Sequence, residues 1–222
     1  MSYSIAIDGP AGAGKSTIAK KIAAKLHFIY VDTGAMYRAM ALYLLEGRVK
    51  PEETEKISEK CREADITIQF ENGEQVVFLN GRNVNGLIRT EAVGNMASAS
   101  SVNKEVREKL VELQRRLAAD TDVVMDGRDI GTCVLPGADI KIYLTADSRV
   151  RAARRYKELM EKGEDCNLEQ IEKEIVERDH RDMTRELSPL KKAEDAVLLD
   201  SSSMTIDEVA DSIIGLCRLE RK

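Results

Sequence analysis

Gly9-Pro10-Ala11-Gly12-Ala13-Gly14-Lys15-Ser16 carries glycine, lysine and hydroxyl at the spacing GxxxxGK[ST], with Thr17 following. Glycines let backbone N–H groups turn inward around a phosphate, and a helix beginning there adds the positive end of its dipole. At these spacings Lys15 reaches the β- and γ-phosphates and the Ser16 hydroxyl suits Mg²⁺. The stretch follows the apolar run Ile5-Ala6-Ile7-Asp8 and opens an amphipathic pattern, the context that separates a phosphate loop from a chance glycine-rich turn. A nucleoside triphosphate with Mg²⁺ is the expected ligand.

Three further groupings say what is done with it. Asp32-Thr33-Gly34-Ala35-Met36-Tyr37-Arg38 places a turn, a hydroxyl and a guanidinium at the start of a helical pattern. That arrangement can hold an acceptor phosphate; equally, Asp32 can be a plain helix cap and Arg38 a solvated side chain. Val123-Val124-Met125-Asp126 is an apolar strand ending in a carboxylate placed to orient a metal through water, followed by Arg128 and Asp129. Arg151, Arg154 and Arg155 share a helical face, as do Arg178, Arg181 and Arg185 with Asp182. Carboxylate partners look sparse on these faces, which points to a polyanionic ligand and to bidentate phosphate recognition. No guanine-reading NKxD is present: Asn103-Lys104-Glu105-Val106 lacks the aspartate. A small kinase is expected, with an NTP-binding regulator as the competing class.

The elements needed to position these groups can be read from the same sequence. Short apolar runs at Tyr3–Asp8, Phe28–Val31, Val123–Asp126, Ile140–Leu144 and Ala196–Leu199 alternate with helical patterns such as Lys15–Leu26 and Gly34–Glu46. Continuous apolar strands separated by helices predict a five-stranded parallel sheet with helices on both faces, an α/β fold. Between Ile66 and Val84, Asn72-Gly73 and Asn80-Gly81 predict an inserted antiparallel three-stranded meander, flanked by helices near Glu52–Ala64 and Val102–Ala119. Ser148–Leu187 reads as a charged helical hairpin turning near Gly163–Asn167. A last helix is expected at Thr205–Leu219, with Ile206, Ala210, Ile213 and Cys217 on its apolar face.

The 222 residues carry a net charge of −5, no Trp and 3 Phe, which argues against a nucleic-acid or anionic-membrane binder. Four scattered cysteines, no signal-peptide pattern and no long apolar run predict a cytoplasmic protein.

Taken in order, GPAGAGKS, DTGAMYR, DGRDIGT, RVRAARR and ERDHRDMTR resemble the bacterial cytidylate kinases, from about Ile5 to Ala210. The resemblance implies a P-loop core over 1–33, 120–148 and 188–222, a monophosphate-binding domain over 34–119, and an arginine-bearing lid over 149–187. It implies ATP as phosphoryl donor with Mg²⁺, CMP and dCMP as acceptors, and a monomer without nucleic-acid or membrane partners. It matches Gly9–Thr17 to the ATP site and Thr33 and Arg38 to the CMP site. Ser98, Arg107 and Asp129 match the cytosine readers, and Arg128 and Arg185 the phosphate ligands. Arg178 and Asp182 match contacts around the sugar, and Arg154 and Arg155 the lid arginines. Kinases acting on AMP, UMP or shikimate remain the alternatives within this enzyme class.

Overall fold

A computed structural model describes residues 2–71 and 73–217. Among these, contacts divide the chain into two units, with breaks between Ile29 and Tyr30 and between Asp120 and Thr121. Along the chain come β1 (Ser4–Asp8), α1 (Lys15–Leu26), β2 (Ile29–Asp32) and α2 (Thr33–Glu46), then α3 (Thr54–Glu63). Next are β3 (Ile66–Glu71), β4 (Glu74–Leu79), β5 (Arg82–Asn83), α4 (Glu91–Ser100) and α5 (Lys104–Ala119). The chain finishes with β6 (Val123–Gly127), a π-helical turn (Ile130–Val134), β7 (Ile140–Thr145), α6 (Ser148–Glu161), α7 (Leu168–Thr184), β8 (Val197–Asp200) and α8 (Ile206–Ile214).

The five-stranded parallel sheet has the order β2-β6-β1-β7-β8. Its central strands are the continuous apolar runs: Ile5, Ala6, Ile7, Val123, Val124 and Met125 are fully buried, as strands covered on both faces must be. β6 and β7 flank β1, so Asp8 and Asp126 emerge at the carboxyl edge, where α/β sheets build their sites. β3, β4 and β5 form the separate antiparallel sheet. Asn80 and Gly81 have φ of 49° and 76°, the positive pair that an Asn-Gly hairpin turn requires. The expected Asn72-Gly73 turn includes Asn72, which lies outside the described residues.

Two elements were not anticipated, α4 and the π-helical turn. The last helix also differs. Its capping box at Thr205 and Glu208 forms, but the helix ends at Ile214 and Cys217 follows it. Leu219 lies outside the described residues. Val209, Ala210 and Ile213 are buried, whereas Ile206 is 49% exposed, because the first position of the helix stands off the core.

Candidate active site

In the sheet-bearing unit the phosphate loop joins β1 to α1 as its sequence requires. Gly9 has φ +151°, and a Cβ there would lie 1.9 Å from the Leu144 carbonyl oxygen, so only glycine fits. Lys15 is buried and donates from Nζ to the Pro10 carbonyl at 2.7 Å. Burial pushes its ammonium down to about 7, and the nearby Arg128 charge pushes the same way. The Asp126 and Asp8 carboxylates oppose this shift without overcoming it. Ser16 Oγ donates to Asp126 Oδ2 at 3.0 Å. This hydroxyl–carboxylate pair at the loop is the hard-oxygen set that suits Mg²⁺.

Asp8, at the end of β1, accepts from the Ile130 and Gly131 amides at 2.8 and 2.7 Å. It thereby holds the turn that follows Asp129. Burial raises its pKa to about 6 in spite of those two bonds.

The arginines and carboxylates of DGRDIGT and ERDHRDMTR meet in this unit. Arg128 Nε donates to Asp182 Oδ2 at 2.8 Å. Arg185 lies 3.6 Å from Asp129 Oδ1 and 3.9 Å from Asp182 Oδ1, and its Nε donates to the Ser188 carbonyl at 2.8 Å. Burial alone would raise the Asp182 pKa, but Arg128, Arg178 and Arg185 outweigh it and hold the carboxyl below its usual range. The Arg178 charge lowers the Lys15 pKa as well. Lys15, Ser16, Asp126, Arg128, Asp129, Arg178, Asp182 and Arg185 thus belong to one ionic neighbourhood within one unit.

The α6 arginines behave differently from the expectation of sparse carboxylate partners. Arg149 pairs with Glu172, Arg151 with Asp179 and Arg155 with Glu158. Glu172 and Asp179 come from α7, a helix the one-face reading of α6 left out. Arg154 donates to the Ser201 carbonyl at 2.7 Å. Arg151, read as one of a phosphate-facing set, is buried against the phosphate loop instead.

In the Tyr30–Asp120 unit, Asp32 does cap α2, accepting from the Ala35 amide at 2.9 Å. Arg38 is not simply solvated: it pairs with Asp32 at 3.0 Å, and Arg89 pairs with the same carboxylate at 2.9 Å. Gln75 of β4 brackets Asp32, accepting from its amide and donating to its carbonyl, so the meander steadies the turn that carries Thr33. α2 packs against α4. Arg107 is buried, donates to the Ser101 carbonyl at 3.4 Å and lies over the Tyr37 ring at 5.8 Å. Ser101 in turn donates to the Ser98 carbonyl at 2.8 Å. Thr33, Arg38, Ser98 and Arg107 therefore share one framework of α2, α4 and the start of α5. Asn103, in the segment without a guanine-reading aspartate, caps α5.

Sequence reasoning missed Asp8, Arg89 and Asp179. The tandem Arg178-Asp179 and Arg181-Asp182 was the available signal for the last, because it places a second carboxylate one turn before Asp182.

The family model for cytidylate kinase matches residues 5–219. The chain belongs to the cytidylate kinase family. It is 53% identical over 212 residues to the cytidylate kinase of Caldicellulosiruptor saccharolyticus, covering 96% of this chain and 94% of that one. It is 51% identical over 215 residues to that of Bacillus thuringiensis, covering 96% and 95%. Among solved structures, an uncharacterized protein from Eubacterium ventriosum shares the fold at TM-score 0.52 and 14% identity, covering 97% of each chain. As a cytidylate kinase family member the chain is a phosphotransferase that uses ATP with Mg²⁺ and acts on small nucleotides. No helix of the described residues is long and apolar enough to cross a membrane.

Proposed function

We propose that the protein transfers the γ-phosphoryl group of ATP to CMP and to dCMP, with each site residue acting as its family counterpart does. ATP-dependent phosphorylation of CMP follows from family membership, and we infer a monomeric, cytoplasmic enzyme that accepts dCMP as well. One observation carries the residue roles: Arg128, Asp129, Asp182 and Arg185 are joined in a buried ionic cluster in the same unit as Lys15.

Gly9–Thr17 bind the donor phosphates, and Lys15 leaves the Pro10 carbonyl for the β- and γ-oxygens. Ser16, with Asp126 through water, would hold Mg²⁺, which supplies charge neutralisation across those oxygens. Arg128 and Arg185 act as ligands of the acceptor phosphate, and Thr33 and Arg38 as contacts of the CMP site. Arg178 and Asp182 hold the sugar. Arg154 and Arg155, on the 149–187 lid, stabilise charge on the transferring group once they leave Ser201 and Glu158. Closing the lid excludes water that would otherwise hydrolyse ATP. No general base is needed, because the attacking phosphate oxygen is already ionised near neutral pH. Ser98, Arg107 and Asp129 read the base. The carboxylate accepts from the cytosine amine, while the guanidinium donates to N3 and O2. UMP reverses that donor–acceptor pattern and leaves the buried groups mispaired.

Incubation of the protein with ATP, Mg²⁺ and either CMP or dCMP, followed by chromatography of the nucleotides, tests the reaction directly. CDP or dCDP should form in step with ADP. ADP without a cytidine diphosphate product would overturn the reading.

A further inference from the structure

Arg151 and Asp179 form a buried pair, each side chain 8% exposed, for which the reaction above supplies no role. Arg151 Nη1 donates to Asp179 Oδ2 at 2.5 Å. Both residues also meet the phosphate loop at the same place. The Ala11 amide donates to Asp179 Oδ1 at 2.9 Å, and the Ala11 carbonyl accepts from Arg151 Nη1 at 2.7 Å. Arg151 Nε donates to the Ala146 carbonyl just beyond β7 at 2.8 Å, which fixes the guanidinium from its other side. Gly12 leaves room for the approach: a Cβ there would lie 3.2 Å from Arg151 Cβ.

A trans peptide is planar, with its carbonyl and amide pointing opposite ways. When Asp179 holds the Ala11 amide, the Pro10 carbonyl of that same peptide must face away from Asp179. That carbonyl is the acceptor on which Lys15 Nζ rests at 2.7 Å. When Arg151 holds the Ala11 carbonyl, the Gly12 amide of the next peptide must face away from Arg151. One ion pair, built on α6 and α7, therefore sets two successive peptide planes of the loop. Stability is a poor explanation for keeping it, since buried ion pairs can often be replaced by apolar residues of similar volume without loss.

We propose that Arg151 and Asp179 are positioning residues for the donor phosphates: they aim the Pro10 carbonyl at Lys15 and fix the direction of the Gly12 amide. Damage to the pair is then felt as loss of ATP binding rather than of CMP binding. The inference rests on the donor-site reading of the loop.

The test compares wild-type protein with Arg151→Lys, Asp179→Asn and the apolar double variant R151M/D179L. The readouts are ADP affinity by calorimetry without CMP, KM for ATP and for CMP, and Tm. For the double variant, Kd for ADP and KM for ATP should rise on the order of 10- to 100-fold, the scale of a small misplacement of binding groups. KM for CMP at saturating ATP should change less than threefold. Should the double variant fail to fold, Asp179→Asn, which keeps an oxygen for the Ala11 amide, carries the same split with a smaller rise of about threefold to tenfold. Folded variants that bind ADP and use ATP within twofold of wild type would overturn the proposal. So would ATP and CMP constants that rise together with a falling Tm, the mark of a merely structural pair. Failure of the wild-type protein to bind ADP would refute the donor-site reading itself, so the two failures are distinguishable.

Discussion

The two units differ in how far along the chain their proposed site residues reach for partners. In the sheet-bearing unit the bonds span the chain: Asp8 to Gly131 over 123 positions, Ala11 to Asp179 over 168, Arg128 to Asp182 over 54. In the Tyr30–Asp120 unit the two guanidiniums bond locally, Arg38 to Asp32 and Arg107 to Ser101 over six positions each, while Gln75 and Arg89 reach the Asp32 turn over 43 and 57. The donor loop and the Arg128, Asp129, Asp182 and Arg185 cluster thus depend on closing a whole layered unit, whereas Arg38 and Arg107 are each tied to a partner at or just before the N-cap of their own helix. Substitutions in the first unit should spread to phosphoryl transfer as a whole. Those in the second should alter acceptor choice while leaving the donor site intact.

The widest expected separation comes from Lys15→Ala. Losing a preorganised charge on the transferring group should cut kcat on the order of 10²- to 10³-fold. Equilibrium dialysis should find CMP affinity within threefold of wild type; a parallel loss of CMP binding would erase the division of labour. Next is Arg107→Met, which keeps the bulk beside Tyr37 but removes the donors. The preference for CMP over UMP should fall roughly 10²-fold, the cost of mispairing a buried polar reader, with KM for ATP unchanged. A retained preference would take base reading away from the locally held unit.

What could be read from sequence follows the same division between local and distant causes. The phosphate loop was legible because eight consecutive residues must satisfy one local backbone geometry, and the Gly9 contact with Leu144 shows how little freedom remains. The five parallel strands were legible because each is a short continuous apolar run, although β8 at the sheet edge leaves Val197 and Leu198 exposed. Arg151 was not, because its spacing from Arg154 and Arg155 says only that they share a face. Its burial depends on Asp179, 28 positions away on another helix. α4 was missed because Glu91–Ser100 is rich in small residues with Gly94 inside, and its place is set by packing against α2. The turn at Ile130–Val134 takes its shape from Asp8, 122 positions earlier, which no window of neighbouring residues contains.

Asp8 offers a subtler probe of the long-range unit. Its pKa is raised to about 6 from 3.8, so its contribution to stability is fully present below about pH 4 and is lost as pH rises through about 6. Converted at 1.36 kcal/mol per pKa unit, the difference is on the order of 2–3 kcal/mol. The gap in unfolding free energy between wild type and Asp8→Asn should therefore be larger at pH 4 than at pH 7, as denaturant titrations can determine. A gap that is constant across this range would mean that Asp8 is not held in a costly ionised state. The smallest effect is expected at Arg89→Gln. Its side chain is 62% exposed, so losing the pair with Asp32 should change stability by only about 0–1 kcal/mol. If stability instead falls severalfold more than that, the acceptor-side framework is less locally secured than the bond pattern indicates.

If Arg107 and Asp129 pair with the cytosine ring as proposed, that pairing decides which nucleotide the chain phosphorylates. The most direct measurement is the initial rate of ADP formation with wild-type protein across CMP, dCMP, UMP and AMP at equal, subsaturating concentrations. CMP and dCMP should exceed UMP and AMP by roughly 10²-fold or more. Equal rates with CMP and UMP would overturn cytosine reading by these residues.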